Sequence, residues 1–137
     1  GNKKKLISLA EKLKIDGSII WIDFTNNVGD IYQNLDVVVM PSLEYESFGR
    51  IIVESMAYSV PIIATKVGGM PELIEHGKDG FLVGKNDENT LSDSIIKLLS
   101  DQKYRKNIGD AGYNKYIENY TADIMSKRYY TLFNHSK

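Results

Sequence analysis

Asp36-Val37-Val38-Val39-Met40-Pro41 decides the fold of this chain. The apolar residues run on without an alternating polar partner, which suits a strand of a parallel sheet covered on both faces. Pro41 ends the run. Val60-Pro61-Ile62-Ile63-Ala64 repeats the pattern, Ile19-Ile20-Trp21-Ile22 precedes it and Asp79-Gly80-Phe81-Leu82-Val83 follows it. Between these runs the spacing predicts helices. Lys3 to Ile15 carries Leu6, Ile7, Leu9, Ala10 and Leu13 among lysines and is closed by Gly17. Val28 to Asn34 fits a short helix, Phe48 to Ser59 a central one, and Glu72 to His76 one or two turns behind Pro71. Thr90 to Ser100, Gln102 to Asn119 and Thr121 to Phe133 complete the chain. Strands alternating with helices predict an α/β fold with about four strands in a doubly wound, mainly parallel sheet and helices on both faces. Ligands of such sheets bind beyond the carboxyl ends of the strands. The Pro41–Gly49 and Lys66–Met70 loops are therefore the expected binding rim.

The totals narrow the function. At 137 residues the chain is one domain. Its 17 Lys+Arg nearly cancel its 18 Asp+Glu, which argues against a nucleic-acid or anionic-membrane binder. Lys3-Lys4-Lys5 is the one basic run and reads as a solvated helix start. The absence of cysteine excludes disulfides, thiolate metal sites and a Cys nucleophile. No apolar run approaches the ~18–20 residues of a membrane span, and no signal-peptide pattern is present. A cytoplasmic location is the expectation. Gly1, followed at once by a helix without a starting Met, reads as the start of an excised piece.

On the rim, Glu46-Ser47-Phe48-Gly49-Arg50-Ile51-Ile52-Val53-Glu54 places two acids around a glycine and a run of aliphatics. A carboxylate inside an apolar helix costs several kcal/mol unless it is paired, hydrogen-bonded or facing a ligand. The helix start near Ser47-Phe48-Gly49 would offer unpaired N–H groups and partial positive charge to anionic or hydroxyl-rich ligands, and Gly49 would let a ligand approach the backbone. Were every step helical, Glu46 and Glu54 would stand ~12 Å apart along the axis. Glycosidase carboxylates stand ~5–9.5 Å apart, so two contacts on one extended ligand fit better.

These residues carry a resemblance. Pro41-Ser42, Glu46-Ser47-Phe48-Gly49-Arg50, Glu54-Ser55-Met56-Ala57, Val60 to Thr65, Gly68-Gly69-Met70-Pro71-Glu72-Leu73-Ile74, Gly77 and Gly80-Phe81-Leu82-Val83 follow one another in an order that resembles the C-terminal, nucleotide-sugar-binding domain of the retaining GT-B glycosyltransferases of the group 1, or family 4, type. The resemblance spans residues 1–137 as one partial, Rossmann-like donor-binding domain. It implies a hexosyltransferase that takes a UDP-, GDP- or ADP-sugar, retains the anomeric configuration, and serves a saccharide or lipid-linked acceptor in polysaccharide or glycolipid assembly, with the parent protein peripheral at the inner membrane face. No metal or other cofactor is expected. By the resemblance Glu46 is the catalytic candidate and, with Ser47 and the amides of Phe48 and Gly49, holds the donor sugar. Glu54 binds the ribose, and Phe24 and Thr25 lie against the nucleobase. Arg50, Gly68 and Gly69 are phosphate-side candidates, with a surface ion pair and a plain turn as the alternative readings.

The same resemblance implies departures. The family's first two strands and its diphosphate-binding Arg and Lys have no counterpart, and Lys3, Lys4 and Lys5 sit on the wrong element to replace them. The absent strands would lie between residues 19–23 and 36–40, so re-pairing is expected within the chain or across a homodimer. Low activity of this piece alone is expected, and a binding subunit that needs a separate acceptor-binding chain is the alternative. Ser59 and Thr25 stand where the family usually has Gly. A sugar-nucleotide epimerase lacks identifiable proton-transfer residues here, and Ser42, Ser47 and Ser55 lack a nucleophile elbow. His76 with Gly77 reads as a helix end. His76 and His135, far apart, make no metal site. The tyrosines of the last helices read as packing.

Overall fold

The computed structural model describes residues 3–134, so His135 lies outside the described residues. The elements are α1 (Lys3–Lys12), a 3-10 turn (Asp16–Ser18), α2 (Val28–Tyr32), β1 (Val38–Met40), α3 (Arg50–Ala57), β2 (Ile62–Thr65), α4 (Met70–Leu73), β3 (Phe81–Val83), α5 (Glu88–Ser100), α6 (Gln102–Asn119) and α7 (Ala122–Asn134). The three strands form one parallel sheet in the order β1-β2-β3, with Val38 opposite Ile62, Met40 opposite Ala64, Ile63 opposite Phe81 and Thr65 opposite Val83.

The α/β class with helices around a parallel sheet is as the sequence predicts. β2 is central and every one of its residues is buried, which is why its sequence is apolar without alternation. β1 ends the sheet order and leaves Val39 exposed between buried Val38 and Met40, so, against expectation, the run at 36–40 is not covered on both faces. Successive side chains point to opposite faces. Ile62 and Ala64 join Met40, Ile52, Met56, Met70 and Leu73 in one core layer. Ile63 joins Phe81, Val83, Leu98 and Ile108 in the other. Ile52, Met56, Ile62, Ile63, Met70 and Leu98 are fully buried, each contributing ~1.5–3 kcal/mol of apolar burial. Side-chain caps start the long helices: Asp87 accepts from the Thr90 amide at 3.0 Å and Asp101 from the Tyr104 amide at 2.9 Å. No helix among the described residues is long and apolar enough to cross a membrane.

The expected strand at 19–23 does not form. The described sheet holds β1, β2 and β3, none of which pairs with this segment, and a strand without a ladder partner gains nothing from its β-prone residues. Ile20 is 87% and Phe24 92% exposed. A Lys3–Asp23 ion pair ties this stretch to α1. Re-pairing within the chain is therefore not what the described residues do.

Two local expectations are also corrected. The central helix begins at Arg50 rather than near Phe48 and ends at Ala57. Ser59 adopts φ +56°, the left-handed region that favours glycine, so its departure from the usual Gly sits on a strained position. His76 caps no helix, because α4 stops at Leu73. Its Nδ1 instead accepts from the Leu82 amide at 3.0 Å, beside a bridge to Gly80.

Candidate functional site

The carboxyl ends of β1 and β2 release the two loops that the sequence marks as the rim, and the structure locks them together. The Gly69 amide donates to the Glu46 carbonyl at 3.0 Å. Gly68 has φ +52°, and a Cβ there would lie 2.1 Å from the Glu46 carbonyl oxygen. A Cβ on Gly69 would lie 2.6 Å from the Ser47 carbonyl oxygen. Only glycine permits this approach of two backbones. Gly49 is buried, and a Cβ on it would meet the Met70 Sδ at 2.8 Å. Glu46, Ser47, Gly49, Gly68 and Gly69 are thus one packed unit, with Glu46 half-buried and Ser47 and Phe48 exposed.

Arg50 opens α3 directly after this unit, so the helix N-terminus, with its unpaired amides and partial positive charge, faces the same rim. Glu46 and Glu54 are separated by irregular chain up to Gly49 and by helix only from Arg50 onward. Glu54 stands just over a turn into the helix, not nearly two. Its Oε1 pairs with Arg50 Nε at 2.9 Å across an i,i+4 step, and its Oε2 accepts from the Tyr32 hydroxyl at 3.1 Å. These two bonds answer how a carboxylate sits on this apolar helix. Its side chain is 31% exposed, which leaves it open to a ligand as well.

No local sequence signal marks Tyr32. It is buried and stacks flat on Tyr58, with centroids 5.4 Å apart and planes 8° from parallel. Burial first, then the hydrogen bond to Glu54 and its negative charge, push its pKa up to about 12. Its partner is 22 positions away, beyond the reach of any local spacing. Phe24 and Thr25 lie on the segment that leads into α2. The Phe24 ring is exposed, and Thr25 Oγ1 accepts from the Asn27 amide at 3.0 Å. Among the described residues no hydrogen bond or ion pair joins these two to Glu46 or Glu54. Arg50 engages Glu54, which is the ion-pair reading of that residue. No group of three or more His, Cys, Asp or Glu side chains among the described residues could hold a metal ion.

Residues 1–115 match the family model described as Glycosyl transferases group 1. The chain is 31% identical over 128 residues to N-acetyl-alpha-D-glucosaminyl L-malate synthase of Bacillus anthracis, covering 93% of this chain and 33% of that relative. Its structure is similar to Anabaena Alr3699/HepE in complex with UDP, at TM-score 0.89 and 26% identity over 96% of this chain and 36% of that one. The same Anabaena protein in complex with UDP-glucose gives TM-score 0.88 at the same identity and coverage. A C-terminal domain of a glycosyl transferase group 1 family protein, LpcC of Francisella tularensis, gives TM-score 0.77 at 32% identity, covering 88% of this chain and 63% of that one. The chain thus spans about a third of the length of the first of these relatives.

Proposed function

The chain belongs to the glycosyl transferases group 1 family, and from that premise we propose that it is the donor-binding part of a retaining hexosyltransferase that acts on a nucleoside diphosphate sugar. The observation that carries the reading is the packed rim: Glu46 clamped by Gly68 and Gly69 at the start of α3, with Glu54 a short way along the same helix. In this reading the Glu54 carboxylate accepts from the ribose hydroxyls. Glu46 and Ser47, with the amides of Phe48 and Gly49, bind the sugar and stabilise it as the glycosidic bond to the diphosphate breaks. The exposed Phe24 ring and Thr25 take the nucleobase. Arg50, Gly68 and Gly69 lie on the phosphate side. The UDP and UDP-glucose complexes of the similar Anabaena protein support a uridine donor over GDP- or ADP-sugars. Sugar transfer to a saccharide or lipid-linked acceptor, in the cytoplasm and without a metal, completes the proposal.

The test is a calorimetric titration of UDP-, GDP- and ADP-glucose against the wild type and Glu54→Gln. One nucleotide binds the wild type, and the variant binds it at least about tenfold more weakly, as expected for losing hydrogen bonds to a charged group. Equal binding by both proteins removes Glu54 from the ribose. A second reading is donor binding without transfer unless a separate acceptor-binding chain is supplied. Transfer that appears only on mixing with such a chain selects it.

A further inference from the structure

Both oxygens of Glu54 are held, but by partners of different kinds. Arg50 is 84% exposed, and its guanidinium ends a flexible side chain in water, where such pairs contribute little. Tyr32 is 6% exposed and fixed from several sides. Its ring lies flat on Tyr58. Tyr58 in turn presses on the helix that carries Tyr32, where a Cβ on Gly29 would come within 2.6 Å of the Tyr58 hydroxyl. The phenol has one proton to give and points it at Glu54 Oε2.

We propose that Tyr32 is the positioning residue of the nucleoside site: its hydroxyl, anchored by the Tyr32–Tyr58 stack, selects the one orientation of the Glu54 carboxylate that receives a vicinal diol. This rests on the reading of Glu54 as the ribose contact. A carboxylate offers about four lone-pair sites, so the bonds to Tyr32 and Arg50 leave acceptor capacity on both oxygens for two ligand hydroxyls. A free glutamate is spread over several rotamers, and ordering it on binding weakens affinity. A buried donor that already holds the carboxylate lowers that cost before the ligand arrives. The raised pKa of Tyr32 keeps the donor protonated throughout the physiological range.

The experiment measures affinity for the nucleoside diphosphate that the donor titration selects and for its 2′,3′-dideoxy analogue, against wild type, Tyr32→Phe and Glu54→Gln, with thermal melts of each. Tyr32→Phe keeps the ring and its stack and removes only the hydroxyl. The wild type is expected to prefer the diol-bearing nucleotide by about tenfold or more, since hydrogen bonds to a charged acceptor are at stake. Tyr32→Phe is expected to lower that preference about three- to tenfold while leaving the affinity for the dideoxy analogue unchanged. A purely structural role for Tyr32 weakens both nucleotides equally, and that result overturns the proposal, as does an unchanged preference. A wild type that does not distinguish the two nucleotides, or a preference that survives Glu54→Gln, overturns the reading of Glu54 instead.

Discussion

The Gly69 amide and the Glu46 carbonyl are joined at 3.0 Å, so the loop after β2 holds the backbone of an acid on the loop after β1. The glycines of the chain then fall into a graded series. Gly68→Ala meets both a left-handed φ and a backbone oxygen at 2.1 Å, and is expected to cost about 2 kcal/mol or more. It should also abolish donor binding, because Glu46 must move. Gly77→Ala meets φ +80° but open space, so about 1–2 kcal/mol of backbone strain is expected with donor binding intact. Gly17→Ala meets neither and should stay within about 0.5 kcal/mol of wild type. Urea denaturation with nucleotide titration of the three variants checks the order, and a Gly68→Ala that binds donor normally breaks the link between the loops.

Ser59 offers the opposite change. Its φ of +56° is costly for any residue with a Cβ, and Ser59→Gly should stabilise the protein by up to about 1 kcal/mol, the strain relieved less the added freedom of the unfolded chain. The neighbouring helix leaves no such latitude at Gly109, where a Cβ would lie 2.1 Å from the Ser59 carbonyl oxygen. Thermal melts showing Ser59→Gly below wild type would contradict this account of the turn.

Asp79 is 5% exposed and accepts from Lys115 Nζ and from the Glu75 amide, each at 2.8 Å. Removing the lysine leaves a buried carboxylate with one neutral partner. Lys115→Met is expected to cost about 2–3 kcal/mol, short of the ~3–5 kcal/mol of a fully buried pair because Lys115 is itself 24% exposed. Lys106→Met breaks the exposed pair with Asp110 and should cost less than about 1 kcal/mol. Denaturant midpoints that rank the two variants the other way refute the role assigned to Asp79.

What the sequence disclosed follows the range of the interactions involved. The continuous apolar run at 60–64 announces a buried parallel strand because every residue of β2 meets a core. The run at 36–40 overstates its burial because β1 ends the sheet order and leaves Val39 exposed. Glu46, Gly49 and Glu54 stand out because their chemistry is at odds with their apolar neighbours. The run at 19–22 misleads for the converse reason: its residues favour a strand, yet strand formation needs a neighbour that local preference cannot supply. Tyr32 stayed hidden because its bond to Glu54 and its stack on Tyr58 cross between elements. The helix start at Arg50 instead of Phe48 reflects the Gly69–Glu46 bond, which holds the preceding residues in an irregular path.

The unpaired segment carries its own expectation. Ile20, Ile22 and Phe24 are 87%, 63% and 92% exposed, and β1 forms one end of the sheet order. An open strand edge together with exposed apolar residues favours pairing with a second copy. Light scattering should show a concentration-dependent dimer that Ile20→Lys with Ile22→Lys shifts to monomer. A wild type that stays monomeric at every concentration rejects this.

Tyr32 also sets an alkaline limit. Its pKa is pushed up to about 12 in the folded protein by burial and by Glu54, whereas in the unfolded chain the phenol titrates near its ordinary value of about 10. Below pH ~10 both states hold the proton and the contribution of the buried phenol is complete. Between pH ~10 and ~12 the unfolded chain alone ionises, so stability drains away, by on the order of 2 kcal/mol across the window. Tyr32→Phe has no proton to lose there. Urea midpoints measured from pH 8 to pH 11.5 should therefore fall more steeply for wild type than for Tyr32→Phe, while the variant starts lower at pH 8 for want of the bond to Glu54. Parallel curves through that window would mean that the phenol is not held as Glu54 and Tyr58 hold it here.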